Sequence, residues 1–260
     1  MGRTRHRFVF LVGTLVAASF LMGWVTDHVR LPPGLDDDAF EEGCGLPLRD
    51  GERPAGATTA PRGRGIGILE PAACAEALRG LGVEFEAVPS NDAAGVAAPI
   101  RLPAALEGVR IDTAGGDPRS VHTVLDCRLA LALQAWTTDL RALGIRRIEH
   151  ASMYRPNARV RGSGRVSGHA HGLAIDVMAF ILEDGTRLSV LGAWADRARG
   201  ADPCAWRDDV DGATRSMRSA VCAAVQRDLF QIVLTPHHDE AHANHVHLEV
   251  RPGVDWVYVH

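Results

Sequence analysis

Residues 167–176 read Ser-Gly-His-Ala-His-Gly-Leu-Ala-Ile-Asp and end in an alternation of small and large apolar side chains. Side chains two apart in a strand share a face, so Leu173 and its alternate neighbours are predicted to face the core. The opposite face carries Gly172, Ala174 and Asp176, which leaves room there for a metal and a substrate. Because an unpartnered carboxylate is costly to bury in an apolar strand, Asp176 is expected to meet a cation.

A second segment, residues 242–247, reads His-Ala-Asn-His-Val-His. In a strand, His245 and His247 share one face about 7 Å apart. A catalytic zinc typically has three nitrogen, oxygen or sulfur ligands from the protein and one open position. His169, Asp176 and one of these two strand histidines supply that set, and strand spacing leaves open which one. The other histidine is then free to act as a base.

Each of these residues is unremarkable when taken alone. A lone His-x-His pair is usually incidental, and a lone Asp at a strand end is usually a hydrogen-bonding cap. Two histidine segments in separate strands, together with a carboxylate at a fixed spacing, instead indicate a zinc site. The remaining nearby histidines, His171, His237 and His238, are interpreted as surface or loop residues.

The flanking sequence predicts an α+β domain, with a small, mostly antiparallel sheet and flanking helices. This prediction rests on apolar residues at helical spacing, on glycines that follow the predicted helices, and on the alternation of side chains in the predicted strands. The predicted helices are 72–81, 125–143 and 216–229. The predicted strands are 83–88, 145–153, 173–182, 231–234 and a last strand at 245–250, and 154–166 is predicted to be a loop.

The N-terminus predicts a membrane anchor. Arg3, Arg5 and Arg7 precede an uncharged run at 8–26, which is long enough to span a bilayer as a helix. A cleaved signal peptide is the alternative, although its apolar core is usually shorter. Positive charge before the span places the rest of the chain outside the cytoplasm, in the periplasm or beyond. The domain prediction is an anchor at 1–30, a flexible linker at 31–68 and a folded domain at 69–260.

Charge and cysteine usage narrow the classes of partner. Net charge is −4 and the scattered basic residues are all arginine, which argues against a nucleic-acid partner. The five cysteines include no Cys-x-x-Cys pair, so a cysteine zinc site is not expected. Cys204–Cys222 is the preferred disulfide prediction and Cys74–Cys127 a second one. The odd count leaves at least one thiol unpaired within the chain.

The motif Ser-x-His-x-x-Gly-x-Ala-x-Asp, followed later by His-x-His, resembles that of the LAS metallopeptidases. This group takes its name from lysostaphin-type enzymes, D-alanyl-D-alanine peptidases and the Sonic hedgehog fold. From about Cys74 to Glu249 the chain is more narrowly similar to the bacterial extensin-like C-terminal domain family. Shared features include the Cys127-Arg-Leu-Ala-Leu-Ala run, Trp194 and the histidine-rich ending.

The resemblance implies His169, Asp176 and His247 as zinc ligands. It also implies His245 as the base or transition-state stabiliser, with His242 lining the pocket. The implied activity is cleavage of peptidoglycan peptides at D-amino acids, by an endopeptidase or carboxypeptidase.

The residues themselves add two expectations about the substrate pocket. Ser167 is expected to orient substrate or His169, and Arg155, together with Arg159 and Arg161, is expected to meet wall carboxylates. The alternatives are a non-catalytic, zinc-stabilised wall-binding or scaffolding module, and a metal-dependent lactonase or amidase that acts on another small substrate.

Overall fold

The computed structural model describes residues 58–59, 64–194, 201–205, 210–254 and 256–260. The predicted anchor, most of the predicted linker and Cys44 lie outside these ranges. Two short elements, a strand at Thr58–Thr59 and a helix at Arg64–Gly67, fall within the linker range. Among the helices in these ranges, none is both long enough and apolar enough to cross a bilayer.

A mixed, mostly antiparallel sheet of eight strands forms the centre of the fold. Its strands are β1 (Thr58–Thr59), β4 (Arg110–Thr113), β6 (Ile145–His150), β7 (Ala174–Leu182), β8 (Arg187–Ser189), β9 (Ile232–Leu234), β10 (Val246–Glu249) and β11 (Trp256–Val259). Their order is β1-β11-β9-β10-β7-β6-β4, with β8 also paired to β7. The β4–β6 and β11–β9 pairs are parallel, and the other pairs are antiparallel. β7 is therefore an interior strand and holds Asp176 in the middle of the sheet.

A smaller sheet and the helices surround this centre. The smaller sheet contains β2 (Glu86–Ala87), β3 (Pro99–Arg101) and β5 (Leu125–Asp126). The α-helices are α1 (Arg64–Gly67), α2 (Pro71–Gly80), α3 (Cys127–Ala142), α4 (Val190–Ala193) and α5 (Gly212–Gln226). Within the described ranges, three short 3₁₀ helices lie at Val121–Thr123, Gly168–His171 and Glu240–His242.

The core lies between α3 and the larger sheet. Trp136 of α3 is fully buried and packs edge-to-face on Phe180 and Phe230, with ring centroids 5.7 and 5.8 Å apart. Its indole N–H donates to the carbonyl of Ala220 in α5 at 2.8 Å. Burial of these aromatic rings fixes α3 and α5 against the strand that carries Asp176.

The predicted α+β class is confirmed, and the predicted helices and most predicted strands form within a few residues of their expected ends. The helix predicted at 125–143 is α3, and it starts at Cys127 rather than Leu125. The carboxylate of Asp126 accepts a hydrogen bond from the N–H of Arg128 and so caps the start of α3. The predicted strand at 83–88 shortens to Glu86–Ala87.

The sheet is larger than the small sheet predicted. Strands β1, β4, β8 and β11 of this sheet are absent from the sequence prediction, so the strand predicted to be last, at 245–250, is followed by Trp256–Val259. Short strands at the outer part of a sheet carry little alternation of their own and are fixed by pairing with their neighbours.

Both predicted disulfides are present. Cys74–Cys127 joins α2 to the first turn of α3, and Cys204–Cys222 joins the segment at 201–205 to α5. They enclose sequence separations of 53 and 18 residues. Both bridges therefore tie helices of the domain to distant or irregular parts of the chain.

Candidate metal centre

Three buried side chains from three elements converge beside the sheet. His169 comes from the 3₁₀ helix Gly168–His171, and Asp176 and His247 lie directly opposite each other in β7 and β10. His169 Nε2 lies 3.0 Å from Asp176 Oδ1 and 3.2 Å from His247 Nδ1. His247 Nδ1 lies 3.0 Å from Asp176 Oδ1, so the three atoms form a nearly equilateral triangle. A tetrahedral zinc with bonds of about 2.0–2.1 Å separates its ligand atoms by about 3.3 Å. The three atoms fit such an ion.

Local hydrogen bonds aim His169 at this point. The hydroxyl of Ser167 accepts from the backbone N–H of His169 at 3.4 Å and caps the 3₁₀ helix. The ring Nδ1 of His169 donates to the carbonyl of Met153 at 3.0 Å. This bond selects the tautomer with a lone pair on Nε2, which is the atom that faces Asp176. Ser167 therefore contacts the backbone of His169 rather than its ring.

Gly172 has a different role from the one expected of it. It ends the 3₁₀ helix with a left-handed φ of 64°, before β7 begins at Ala174. A Cβ at this position would lie 2.9 Å from the backbone nitrogen of Asp126. That nitrogen donates to the carbonyl of Gly172 at 2.8 Å. The prediction that Gly172 leaves room for a metal is wrong, because glycine here permits a tight turn and a close approach of two backbones.

His247 is held from both sides of its ring. Nδ1 faces Asp176 and His169, and Nε2 donates to Glu249 Oε2 at 3.2 Å. Glu249 is itself buried, and its Oε1 accepts from Arg251 at 3.3 Å. An outer carboxylate on a metal-binding histidine fixes its tautomer and orientation. Sequence reasoning missed Glu249, although it continues the two-residue alternation of His245 and His247.

His245 lies beside the three-residue cluster, and its side chain is more exposed than those of the cluster. It directly precedes β10, and its Nε2 lies 3.6 Å from Asp176 Oδ1. Its Nδ1 is 2.9 Å from the side-chain oxygen of Asn244, which accepts a hydrogen bond from it. Burial lowers the pKa of His245 to about 4, so the ring is neutral at neutral pH. This tautomer leaves the Nε2 lone pair facing the cluster.

His242 and Arg155 border the same region. The ring of His242 lies 5.0 Å from that of His245 and 6.3 Å from that of His247. Arg155 follows the core residue Tyr154 in the predicted loop, and its guanidinium lies 3.4 Å from Asp176 Oδ2. About half of the Arg155 side chain is exposed. The structure thus places a cation at the rim of the cluster and an imidazole beside it.

The buried carboxylates of Asp176 and Glu249 keep His247 protonated at neutral pH. Burial acts to raise the pKa of Asp176, but the neighbouring imidazoles of His169 and His247 outweigh it and hold that pKa far below its usual range. Burial lowers the pKa of His169. Burial also opposes charge on His247, yet its contacts with Asp176 and Glu249 raise its pKa to about 9. A metal that binds here at neutral pH must displace that proton.

The other nearby histidines differ in environment. His171 is exposed, and its Nδ1 donates to the carbonyl of Gly95 at 2.7 Å. His237 lies in the loop after β9, as interpreted, but it is buried rather than on the surface, with its ring 5.8 Å from that of Trp194. His238 belongs to a second cluster on the loop before β10.

One protein family matches most of the folded part of the chain. The family described as Extensin-like protein C-terminus matches residues 72–257, which include all three residues of the cluster and both disulfides. No curated protein matches the chain. The match covers well over half of the sequence. The chain therefore belongs to the extensin-like protein C-terminus family.

Proposed function

We propose that this chain is a zinc-dependent peptidoglycan hydrolase, an endopeptidase or carboxypeptidase that cleaves wall peptides at D-amino acids. The observation that carries the proposal is the buried triangle of His169, Asp176 and His247, with the neutral and more exposed ring of His245 beside it. Resemblance of the Ser167–Asp176 motif and the later His-x-His pair to the LAS metallopeptidases supports the choice of substrate.

His169 Nε2, Asp176 Oδ1 and His247 Nδ1 would hold the ion. When bound, zinc polarises the scissile carbonyl and lowers the pKa of a coordinated water toward 7. His245 Nε2 accepts a proton from the attacking water and returns it to the departing amine nitrogen. The bond from His245 Nδ1 to Asn244 keeps the ring in the tautomer that this transfer needs.

Arg155 supplies the polar group at the rim. Its half-exposed guanidinium contacts Asp176 Oδ2, the carboxylate oxygen that faces away from the two imidazoles. The free donors of this planar group suit a substrate carboxylate, such as that of a terminal D-alanine. Ser167 acts through His169, since its hydroxyl caps the turn that carries the ring.

We propose a location in the periplasm or outside the cell, held to the cytoplasmic membrane by a single N-terminal helix. The three arginines before the uncharged run at 8–26 support this orientation. The disulfides Cys74–Cys127 and Cys204–Cys222 also support it, because disulfides persist in oxidising compartments.

The decisive experiment incubates the purified full chain with cross-linked muropeptides, with and without a chelator. Hydrolysis should require zinc, and His245→Ala should lower the rate about 10²- to 10⁴-fold while zinc content stays unchanged. His171→Ala is the matched control, since it removes an exposed histidine from the same motif. Separately, Asp176→Ala should abolish zinc binding at this centre.

Three results would contradict the proposal in different ways. A zinc-loaded chain that is inert on every muropeptide would instead favour a wall-binding or scaffolding module stabilised by the metal. If Asp176→Ala retained the zinc of this centre, the proposed ligand set would be wrong. Hydrolysis that persists at full rate in the chelated, zinc-free protein would rule out the metal mechanism.

A further inference from the structure

A second cluster of metal-binding side chains lies beside the first. His238, Asp239 and His242 each bring one potential ligand atom within 4.8 Å of the others. Asp239 Oδ1 lies 2.6 Å from His242 Nδ1, and its other oxygen lies 3.8 Å from His238 Nε2. Asp239 also caps the 3₁₀ helix Glu240–His242 by accepting the backbone N–H of His242 at 3.1 Å. Capping accounts for the Asp239–His242 contact but not for the position of His238.

His238 is oriented by a residue from another part of the fold. Its Nδ1 lies 3.1 Å from Nδ1 of His260, with the ring centroids 5.0 Å apart. His260 follows β11, and its backbone is hydrogen-bonded to Val233 and Thr235 at the end of β9. When His238 Nδ1 donates to His260 Nδ1, the lone pair of His238 lies on Nε2, which is directed toward Asp239. The first centre has the same design, in which each histidine is anchored through the nitrogen that does not face the metal.

We propose that His238 Nε2, the carboxylate of Asp239 and His242 form a second zinc site, with His260 as the supporting residue of His238. Two imidazoles and one carboxylate are a donor set that zinc accepts, with a position left for water. This inference is independent of the proposed function, because it concerns metal binding alone.

The second site should bind more weakly than the first. The side chains of His238, Asp239 and His242 are 28%, 39% and 17% exposed. The first cluster is almost completely shielded from solvent. Solvent competes more strongly with exposed ligands, and the first site is also more firmly anchored.

Occupancy of the second site also has a structural consequence for the first. An ion bound to His242 fixes that ring, whose centroid lies 5.0 Å from that of His245. The two centres would thus share the His242–His245 contact. The second ion would restrain the ring that stands next to the proposed proton acceptor.

Zinc titration of the metal-free full chain tests the proposal, with chelator competition and calorimetry as readouts and Zn²⁺ alone as the probe. The wild type should bind two ions per chain with different affinities. Asp176→Ala should lose the tighter ion and keep the weaker one, whereas His238→Ala should lose only the weaker one. His260→Ala removes the supporting ring and should weaken that site about 10- to 100-fold. His171→Ala, the matched histidine control, should keep both.

Asp239→Asn provides a second test should His238→Ala not fold, and it too should abolish the weaker event. Binding of a single zinc by the wild-type chain would overturn the proposal. So would two unchanged binding events in both His238→Ala and Asp239→Asn. An inert chain that binds two ions, one of them lost in His238→Ala, would leave this site standing while removing the hydrolase proposal.

Discussion

His247 donates from Nε2 to Oε2 of Glu249 at 3.2 Å, while its Nδ1 faces Asp176 Oδ1 at 3.0 Å. The imidazole therefore bridges two buried carboxylates, one on each ring nitrogen. His247 and Glu249 are two apart in β10, so the strand itself holds both side chains on one face. This relationship makes Glu249 part of the proposed metal centre, although it lies behind the ring of His247 and not among the proposed ligands.

Glu249→Ala should lower zinc affinity at the first centre about 10- to 100-fold, because His247 then loses the bond that orients it. Chelator competition on the purified variant measures the change. Glu183→Gln, which alters an exposed carboxylate paired with Arg146 at the far end of β7, serves as the control. Equal zinc affinity in wild type and Glu249→Ala would mean that the outer carboxylate does not support the ligand.

Gly168→Ala should weaken the same centre by a steric route. A Cβ on Gly168 would lie 2.5 Å from Cδ of Glu249, whose carboxylate is held by His247 and Arg251. The displaced carboxylate cannot keep its bond to His247, and overpacking of this kind costs about 1–3 kcal/mol of stability.

Thermal unfolding and zinc titration of Gly168→Ala test both effects. Gly80→Ala is the matched control, since a Cβ there meets nothing within 4 Å. A Gly168→Ala variant with wild-type stability and zinc affinity would show that Glu249 moves aside without consequence.

That His169, Asp176 and His247 lie close together could be predicted from sequence, because much of the information is local. Alternation within β7 identifies Asp176, and alternation before and within β10 identifies His245 and His247. In each strand the alternation alone shows which side chains share a face. Glu249 obeys the same rule and was still missed. A glutamate near the end of a strand has many possible roles, and only the contact across the ring of His247 distinguishes this one.

The rest depended on tertiary contacts that no local pattern encodes. Gly172 is required because the backbone of Asp126 approaches it from a distant part of the chain. The sequence interpretation of His238 as a surface or loop residue missed its contact with His260. This contact forms only because β11 pairs in parallel with β9. Such pairings join strands whose order in the sheet differs from their order in sequence.

Zinc binding at the first centre should release about one proton per ion at pH 7. The metal-free protein carries a proton on His247, whose pKa is raised to about 9 by Asp176 and Glu249 against the effect of burial. His169 has a lowered pKa and binds as a neutral ring, and Asp176 is already ionised. Since the proton competes with the metal, apparent affinity should rise about tenfold per pH unit from pH 7 until it levels off near pH 9.

Calorimetry in two buffers with different ionisation enthalpies counts the released proton. His238→Ala is the background for this measurement, because it removes the second proposed site. Glu249→Gln removes one of the two carboxylates that raise the pKa of His247. The apparent zinc affinity of this variant should therefore level off at a lower pH than that of the wild type. A proton count of zero at pH 7 would contradict the assigned charge on His247.

Loss of the Cys74–Cys127 disulfide should destabilise the fold more than loss of Cys204–Cys222. Chain-entropy reasoning gives about 4 kcal/mol for a loop of 53 residues and about 3 kcal/mol for one of 18. The longer loop also joins α2 to the first turn of α3, whose Trp136 anchors the core. Urea unfolding of the two double alanine variants, each compared with the oxidised wild type, measures the difference. A larger loss in the Cys204/Cys222 variant would show that local anchoring of α5 outweighs loop entropy.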